Sequence, residues 1–194
     1  MLHAPSLQDV LRSALDPAPA YTPAPGDRLA AVLAPLVEHP EPSLIFTVRS
    51  DALSRHPGEV SFPGGLVDPG ESPDDAARRE AFEEIGLDPA LPTLVGALPP
   101  VHTYVSAILV VPFVGLLPTA PDLFAAEAEI KEIVQVPLPT LVKIEEPMEL
   151  PRADGTTWQG WAYRIDGNTI WGATGLMLHS FLEILRSEAA WTLT

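Results

Sequence analysis

Glu80, Glu83 and Glu84 fall at i, i+3 and i+4 within ESPDDAARREAFEEIGL, residues 71–87. At 3.6 residues per turn this spacing puts three carboxylates on one face of a helix. Carboxylates that close repel one another. Hard divalent cations relieve the repulsion, because Mg²⁺ and Mn²⁺ prefer carboxylate, carbonyl and water oxygens. A solvated acidic surface is the alternative reading of the three glutamates taken alone. The helix that must carry them has its own signals. Ser72 fits the N-cap, Pro73 the first helical position, Asp75 the capping-box spacing and Gly86 a left-handed end, which predicts a helix from about Pro73 to Ile85. Ala81, Phe82 and Ile85 then lie largely on the side opposite the carboxylates.

Residues 65–87, GLVDPGESPDDAARREAFEEIGL, resemble the signature of the Nudix hydrolases: Gly, five residues, Glu, seven residues, Arg-Glu, an aliphatic, any residue, Glu-Glu, any residue, Gly and a final aliphatic. Gly65, Glu71, Arg79, Glu80, Glu83, Glu84 and Gly86 occupy the seven fixed positions and Leu87 the last, while the inner aliphatic position holds the smaller Ala81. The resemblance implies an α/β fold, the Nudix α/β/α sandwich around a central mixed β-sheet. It also implies a Mg²⁺- or Mn²⁺-dependent hydrolase whose metal ligands are Glu80, Glu83, Glu84 and the carbonyl of Gly65. Such ions bridge phosphate oxygens and lower the pKa of a bound water. One carboxylate, in this stretch or at Glu129, takes the proton of that water. Arg79 is expected to pair with Glu83 or Glu71 and hold the carboxylates in place. Glu129 belongs to a second acidic group, with Glu127 and Glu132, just before a strand ending at Pro137; a solvated edge is its bland reading.

Residues 44–65, LIFTVRSDALSRHPGEVSFPGG, resemble the additional signature of coenzyme A pyrophosphatases. Thr47, Arg49, Ser50, Gly58 and Phe62 to Gly65 fall in place, but the second arginine of the pattern meets Ser54, with Arg55 one residue later. Pro99 to Val101 and the segment IWGAT at residues 170–174 look like further parts of that subfamily. The resemblance implies cleavage of the pyrophosphate of coenzyme A to 3′,5′-ADP and 4′-phosphopantetheine. Arginine forks suit the pyrophosphate and the separate 3′-phosphate. Arg49, Ser50, Arg55 and Tyr104, the last by stacking on adenine, are the substrate-binding candidates, with His56 a further loop residue near them. Two competing readings remain. One is a Nudix hydrolase of ADP-ribose, a dinucleotide or a nucleoside triphosphate, favoured by Ser54; the other is a non-catalytic binding module, disfavoured by the full carboxylate set.

The elements that position these residues follow from periodicity. Ser6 to Leu15 has helical spacing of Leu7, Val10, Leu11 and Leu15, and a proline-rich linker follows at residues 16–25. Arg28 to Val37 fits helix or buried strand, and pairing with Ser43 to Arg49 through the turn at His39 to Pro42 favours the strand. Thr93 to Leu98 and Ala107 to Leu117 read as strands, the second central in the sheet because it is nearly continuous in apolar residues. Leu138 to Val142 suits a short helix. TWQGWAYRI, between the turn dipeptides Asp154-Gly155 and Asp166-Gly167, suits hairpin strands. Gly175 to Arg186 forms a closing helix that shares the core with Trp171.

The 194 residues are most simply one domain, with no repeat and no apolar run long enough to span a bilayer as a helix. There is no cysteine, which excludes disulfides and thiolate metal sites and is compatible with a cytoplasmic protein. The first residues do not read as a secretory signal. With 26 acidic residues against 11 Lys and Arg, the net charge of −15 argues against nucleic acid or an anionic membrane as partner. A small-molecule nucleotide is the expected ligand and a second copy of the chain a candidate partner. Attraction of an anionic substrate must then be local. Arg49, Arg55, Arg78 and Arg79 cluster between positions 49 and 79, and bound cations would reverse the sign of the site. The 23 prolines punctuate apolar segments and read as loop stiffeners and strand ends.

Overall fold

A computed structural model describes residues 6–52, 58–103, 107–151 and 155–188. Its core is β1 (Arg28–His39), the ambiguous apolar segment, which is a strand. Along β1 the side chains alternate between two hydrophobic cores. Ala31, Leu33 and Val37 face one, and Ala30, Ala34 and Leu36 face the other. That period of two buries both faces, which is why the segment carries no polar stripe. β2 (Ser43–Arg49), β3 (Val60–Ser61), β4 (Gly64–Leu66), β5 (Thr93–Ala97), β6 (Val101–Thr103), β7 (Ile108–Thr119) and β8 (Ile130–Pro137) complete the main sheet. Its path is β3-β2-β1-β7-β5, with β4 on β1, β6 on β7 and β8 on β2. The sheet is mixed: β1 and β7 run parallel and the other pairs antiparallel.

One face of the sheet carries α2 (Pro73–Ile85), which packs through Ala76, Ala77, Ala81 and Ile85, each fully buried. The other face carries α1 (Leu7–Ala14) and α4 (Gly172–Ser187), with α3 (Leu138–Ile144) at its margin. The opening helix is capped by a reciprocal Ser6–Asp9 box and sends Leu7, Val10 and Leu11 inward. A three-stranded sheet of β9 (Glu145–Pro151), β10 (Thr157–Ile165) and β11 (Asn168–Ile170) contributes Tyr163 and Ile170 to the same core. The α/β/α sandwich with a central mixed sheet is therefore present.

The expected hairpin of β1 and β2 is present but short. These strands pair only at Leu36↔Leu44 and Val37↔Ser43, after which they diverge. β4 enters the opening and pairs with Ala30 to Val32, and Leu33 N–H donates to the Pro63 carbonyl at 2.9 Å. β2 takes β8 as its long neighbour instead. This split sheet is what positions the site, because it brings the Gly64-Gly65 backbone against the strand below α2.

Three expectations need correction. Phe82 is 52% exposed, whereas Glu84, on the carboxylate side of the predicted wheel, is only 5% exposed. The sheet covers a sector of α2 running through Ala77, Ala81, Ile85 and Glu84, and Phe82 falls outside it. Trp171 is not core: it is the extended N-cap of α4 and is 37% exposed, while Met177 and Phe181 fill the core beneath that helix. The helix itself begins at Gly172, three residues before the predicted start.

A polar network ties the second sheet to α4. Glu145 accepts from Tyr163 Oη at 2.6 Å, from His179 Nδ1 at 3.0 Å and from Arg186 at 2.6 Å, and Trp161 stacks on His179. Burial pushes the Glu145 carboxyl up, but these three donors outweigh it and hold the group below the usual carboxylate range. A depressed pKa gives stability that is present above the unfolded value and lost as pH falls through the folded one. The protein is thus expected to lose thermal stability as pH drops below about 4.5. Glu145→Gln should lose about 2 kcal/mol at pH 7 and show a flatter acid limb in melts between pH 3 and 7. An unchanged acid limb would exclude Glu145 as its source.

Candidate active site

Helix α2 forms as the local signals dictate. Ser72 Oγ accepts from Asp75 N–H, Pro73 takes the first turn, and Gly86 closes the helix at φ 68°, in the left-handed region. Its small buried residues let it sit low on the sheet. Ala81, the undersized aliphatic, is fully buried there. The three glutamates consequently meet different surroundings. Glu83 is mostly exposed, Glu80 is half-buried, and Glu84 is buried against β4.

Arg79 organises two of them. Its Nε donates to Glu71 Oε1 at 2.9 Å, and Nη1 reaches Glu80 at 2.8 Å and Glu83 at 3.1 Å. Nη2 donates to Glu71 Oε2 at 3.0 Å and to the Leu66 carbonyl at 3.1 Å. The bidentate fork on Glu71 fixes the guanidinium plane, and the remaining donors hold the metal-candidate carboxylates. Both of the partners proposed for Arg79, Glu71 and Glu83, are engaged. Its hydrogen bond lowers the Glu71 pKa, and the anions around it raise that of Arg79.

Among the described residues the Glu84 carboxylate has a single hydrogen bond, from Gly64 N–H to Oε2 at 3.2 Å. Burial, reinforced by repulsion from Glu80 and Glu129, pushes its carboxyl up to about 7, although the Gly64 bond and Arg49 oppose the rise. Burial likewise raises Glu80, with Glu83 and Glu129 adding repulsion against the help of Arg79. Glu80 and Glu84 are thus partly dry, with the exposed Glu83 and Glu129 near enough to add repulsion. The donor set is all oxygen, and the backbone beside it is bare. A Cβ on Gly65 would lie 2.5 Å from the Glu80 carboxyl carbon. These residues fit a hard divalent cation. Among the described residues no group of three or more acidic or histidine side chains is already gathered at ligating geometry. Arg79 holds Glu80 and Glu83, and the Gly64 amide holds Glu84.

The other candidates divide. Arg49 stands at the end of β2, where the register with β8 shifts between Val48 and Arg49, and its buried Nε has no hydrogen-bond partner among the described residues. Its charge reaches Glu84, so a cation with a free donor borders the carboxylate cluster. Ser50 contributes its N–H to the Glu129 carbonyl at 2.8 Å, which brings the pre-helix loop and the second acidic group together. The exposed Glu129 side chain is close enough to act on Glu80 and Glu84. Thr47 bonds Ser61, and Phe62 stacks on Phe46 at 4.8 Å, so these motif residues clamp the loop that leads to Gly64. Ser54, Arg55, His56 and Tyr104 lie outside the described residues.

Some features left no sequence signal. Asp27 meets His102 Nε2 at 2.9 Å across a gap of 75 residues. The Gly64 amide and Leu66 carbonyl act through backbone, which residue types do not report.

A family profile described as NUDIX domain matches residues 27–159. The chain is 36% identical over 163 residues to the Nudix hydrolase NudL of Enterobacter sp. (strain 638), covering 81% of this chain and 83% of that one. It is 35% identical over 190 residues to NudL of Klebsiella pneumoniae (strain 342), covering 94% and 96%. Among solved structures, the E. coli ORF135 protein superposes with a TM-score of 0.52 at 20% identity, over 87% of this chain and 98% of that chain. The NUDIX domain of Shewanella oneidensis NrtR, complexed with ADP ribose, gives 0.51 at 17% identity over 63% and 82%.

Proposed function

Because this chain belongs to the Nudix family of hydrolases, we propose that it cleaves the pyrophosphate bond of coenzyme A or a derivative, yielding 3′,5′-ADP and 4′-phosphopantetheine. The observation that carries the substrate is Arg49. A buried guanidinium Nε without a partner among the described residues, beside a carboxylate cluster that suits metal, is a donor awaiting an anion. It stands in the Thr47–Arg49–Ser50 pattern that resembles coenzyme A pyrophosphatases, and Gly58, at φ 71°, returns the chain from that loop with its N–H on the Arg49 carbonyl.

In this reading Glu80, Glu83 and Glu84, with the Gly65 carbonyl, hold Mg²⁺ or Mn²⁺. When bound, the metal neutralises phosphate charge and makes water a better nucleophile. Arg79 orients Glu80 and Glu83 through its anchor on Glu71, and the Gly64 amide orients Glu84. Arg49 and Ser50 bind and align the pyrophosphate, with Arg55 and Tyr104 assigned to the 3′-phosphate and the adenine. Glu129 accepts the proton of the attacking water at its carboxylate. Ser54, where the subfamily pattern has arginine, favours a second reading, hydrolysis of another nucleoside diphosphate derivative such as ADP-ribose.

Incubation with Mg²⁺ and a panel of coenzyme A, ADP-ribose, a dinucleoside polyphosphate and nucleoside triphosphates, with products identified by mass spectrometry, separates the readings. Coenzyme A is expected to be cleaved fastest, and Arg49→Ala to lower its kcat/KM about 100-fold. Brisk cleavage of another nucleotide with coenzyme A untouched would overturn the assignment.

A further inference from the structure

The carbonyls in the last turn of a helix have no partner within the helix and must find one elsewhere. In α2 the terminal glycine serves part of this need, since Gly86 N–H donates to Phe82 O at 2.9 Å. The Glu84 and Ile85 carbonyls are taken by a distant segment. Phe124 N–H donates to Ile85 O at 3.1 Å and Ala126 N–H to Glu84 O at 2.9 Å. The same segment leads directly into Glu129. Glu129 and Ile130 N–H both donate to Ala126 O at 2.8 Å, and the Glu129 carbonyl is held by Ser50.

Phe124 is unusual in this segment. Its side chain is 69% exposed, so it adds little to either core, yet its ring covers Gly86 closely. A Cβ on Gly86 would meet ring carbons at 2.5, 2.6 and 2.9 Å. Gly86 therefore does two things: its left-handed backbone ends the helix, and its missing side chain leaves a seat for an aromatic ring. Leu123, partly buried against the core under α2, anchors the segment from the other side.

We infer that Phe124 is a positioning residue, which by seating its ring on Gly86 fixes residues 123–129 to the end of α2 and sets the placement of Glu129 over the carboxylate cluster. The inference rests on the reading that Glu129 serves the reaction. The ring on the glycine adds to the two backbone hydrogen bonds that dock the loop on the helix, and it is a contact with no slack on the glycine side.

Two measurements test it. Hydrogen exchange needs no substrate: Phe124→Ala is expected to speed exchange of the Ala126, Glu129 and Ile130 amides about tenfold and leave the middle of α2 unchanged, while Phe124→Tyr behaves as the parent. In Mg²⁺-dependent turnover of coenzyme A, or of ADP-ribose where the panel above selects it, Phe124→Ala should lower kcat about tenfold with KM changed less than about twofold. Phe124→Tyr should restore it. In a Glu129→Gln background the same truncation should cost less than about twofold, since both changes act through one carboxylate. Full activity of Glu129→Gln alone would refute the Glu129 reading and the inference with it. An impaired Glu129→Gln combined with normal exchange in Phe124→Ala, or with an undiminished Phe124 effect in the double variant, would refute the inference alone.

Discussion

Replacement of Glu84 by Gln is expected to lower kcat about 1000-fold while leaving the metal-free fold at least as stable as the parent. The two effects have one cause. Glu84 is 5% exposed, and burial pushes its carboxyl up to about 7, so the fold resists the ionised form that a cation requires. A raised folded-state pKa contributes stability that is complete below the unfolded value, near 4.5, and lost as pH rises through 7. The loss is on the order of 3 kcal/mol at its upper limit. The substituted amide keeps an oxygen for the Gly64 N–H and removes that pH dependence. In calorimetry with a chelator, the parent melting temperature should therefore fall between pH 5 and 8 while that of the variant stays nearly level. Added Mg²⁺ should restore the parent most at high pH and have little effect on the variant. Near-normal turnover by Glu84→Gln would remove Glu84 from the site.

Gly64→Ala should be strongly destabilising for a single added methyl. A Cβ there would stand 2.4 Å from the Ala31 carbonyl oxygen and 2.6 Å from Val32 Cα, both backbone atoms of the strand through the middle of the sheet. Neither atom can turn aside as a side chain would. The expected cost is about 3 kcal/mol, read from the denaturant midpoint. Displacement of β4 would also withdraw the amide that holds Glu84, so activity should fall with stability. Gly70→Ala is the control. It meets nothing within 4 Å and strains only its own backbone, at φ 85°, for about 1 kcal/mol. Equal losses at the two glycines would show that backbone conformation, not the close approach to β1, sets the need for glycine.

The parts of this molecule that are legible in its sequence are those fixed by neighbours in the chain. Ser72, Pro73 and Gly86 mark the ends of α2 at the observed residues because capping acts over a few positions. The apolar run at 107–117 announces a strand buried on both faces, and β7 is central. Arg79 and its acidic partners were legible through helical spacing and the family resemblance together. What the chain brings together over long distances was not. The short reach of the β1–β2 hairpin depends on β4 entering beside it, and two glycines are its only trace. Phe82 and Glu84 exchange the places a helical wheel suggests, because the wheel orders faces without saying which one the sheet covers. β9 is acidic and carries two prolines, and it is its pairing with β10 that makes it a strand. Glu145 gains its partners from 18 and 34 residues away, so nothing near it announced a buried network. Phe124 and Gly86 are 38 residues apart in the chain, so only the fold sets the one beneath the other.

The alanines under α2 bear on how such a protein changes over generations. Ala76, Ala77 and Ala81 are each fully buried, so the spacing between the acidic helix and the sheet is already near its minimum. A larger residue at these positions lifts the carboxylate row away from Gly64 and Gly65 unless the facing strand residues shrink to match. Drift in this part of the core would therefore be felt first as lost turnover, while the loops beyond the strand ends can vary without moving the reacting centre. New substrate preferences are accordingly open to selection in those loops, and the chemistry is guarded by three methyl groups that touch neither metal nor substrate.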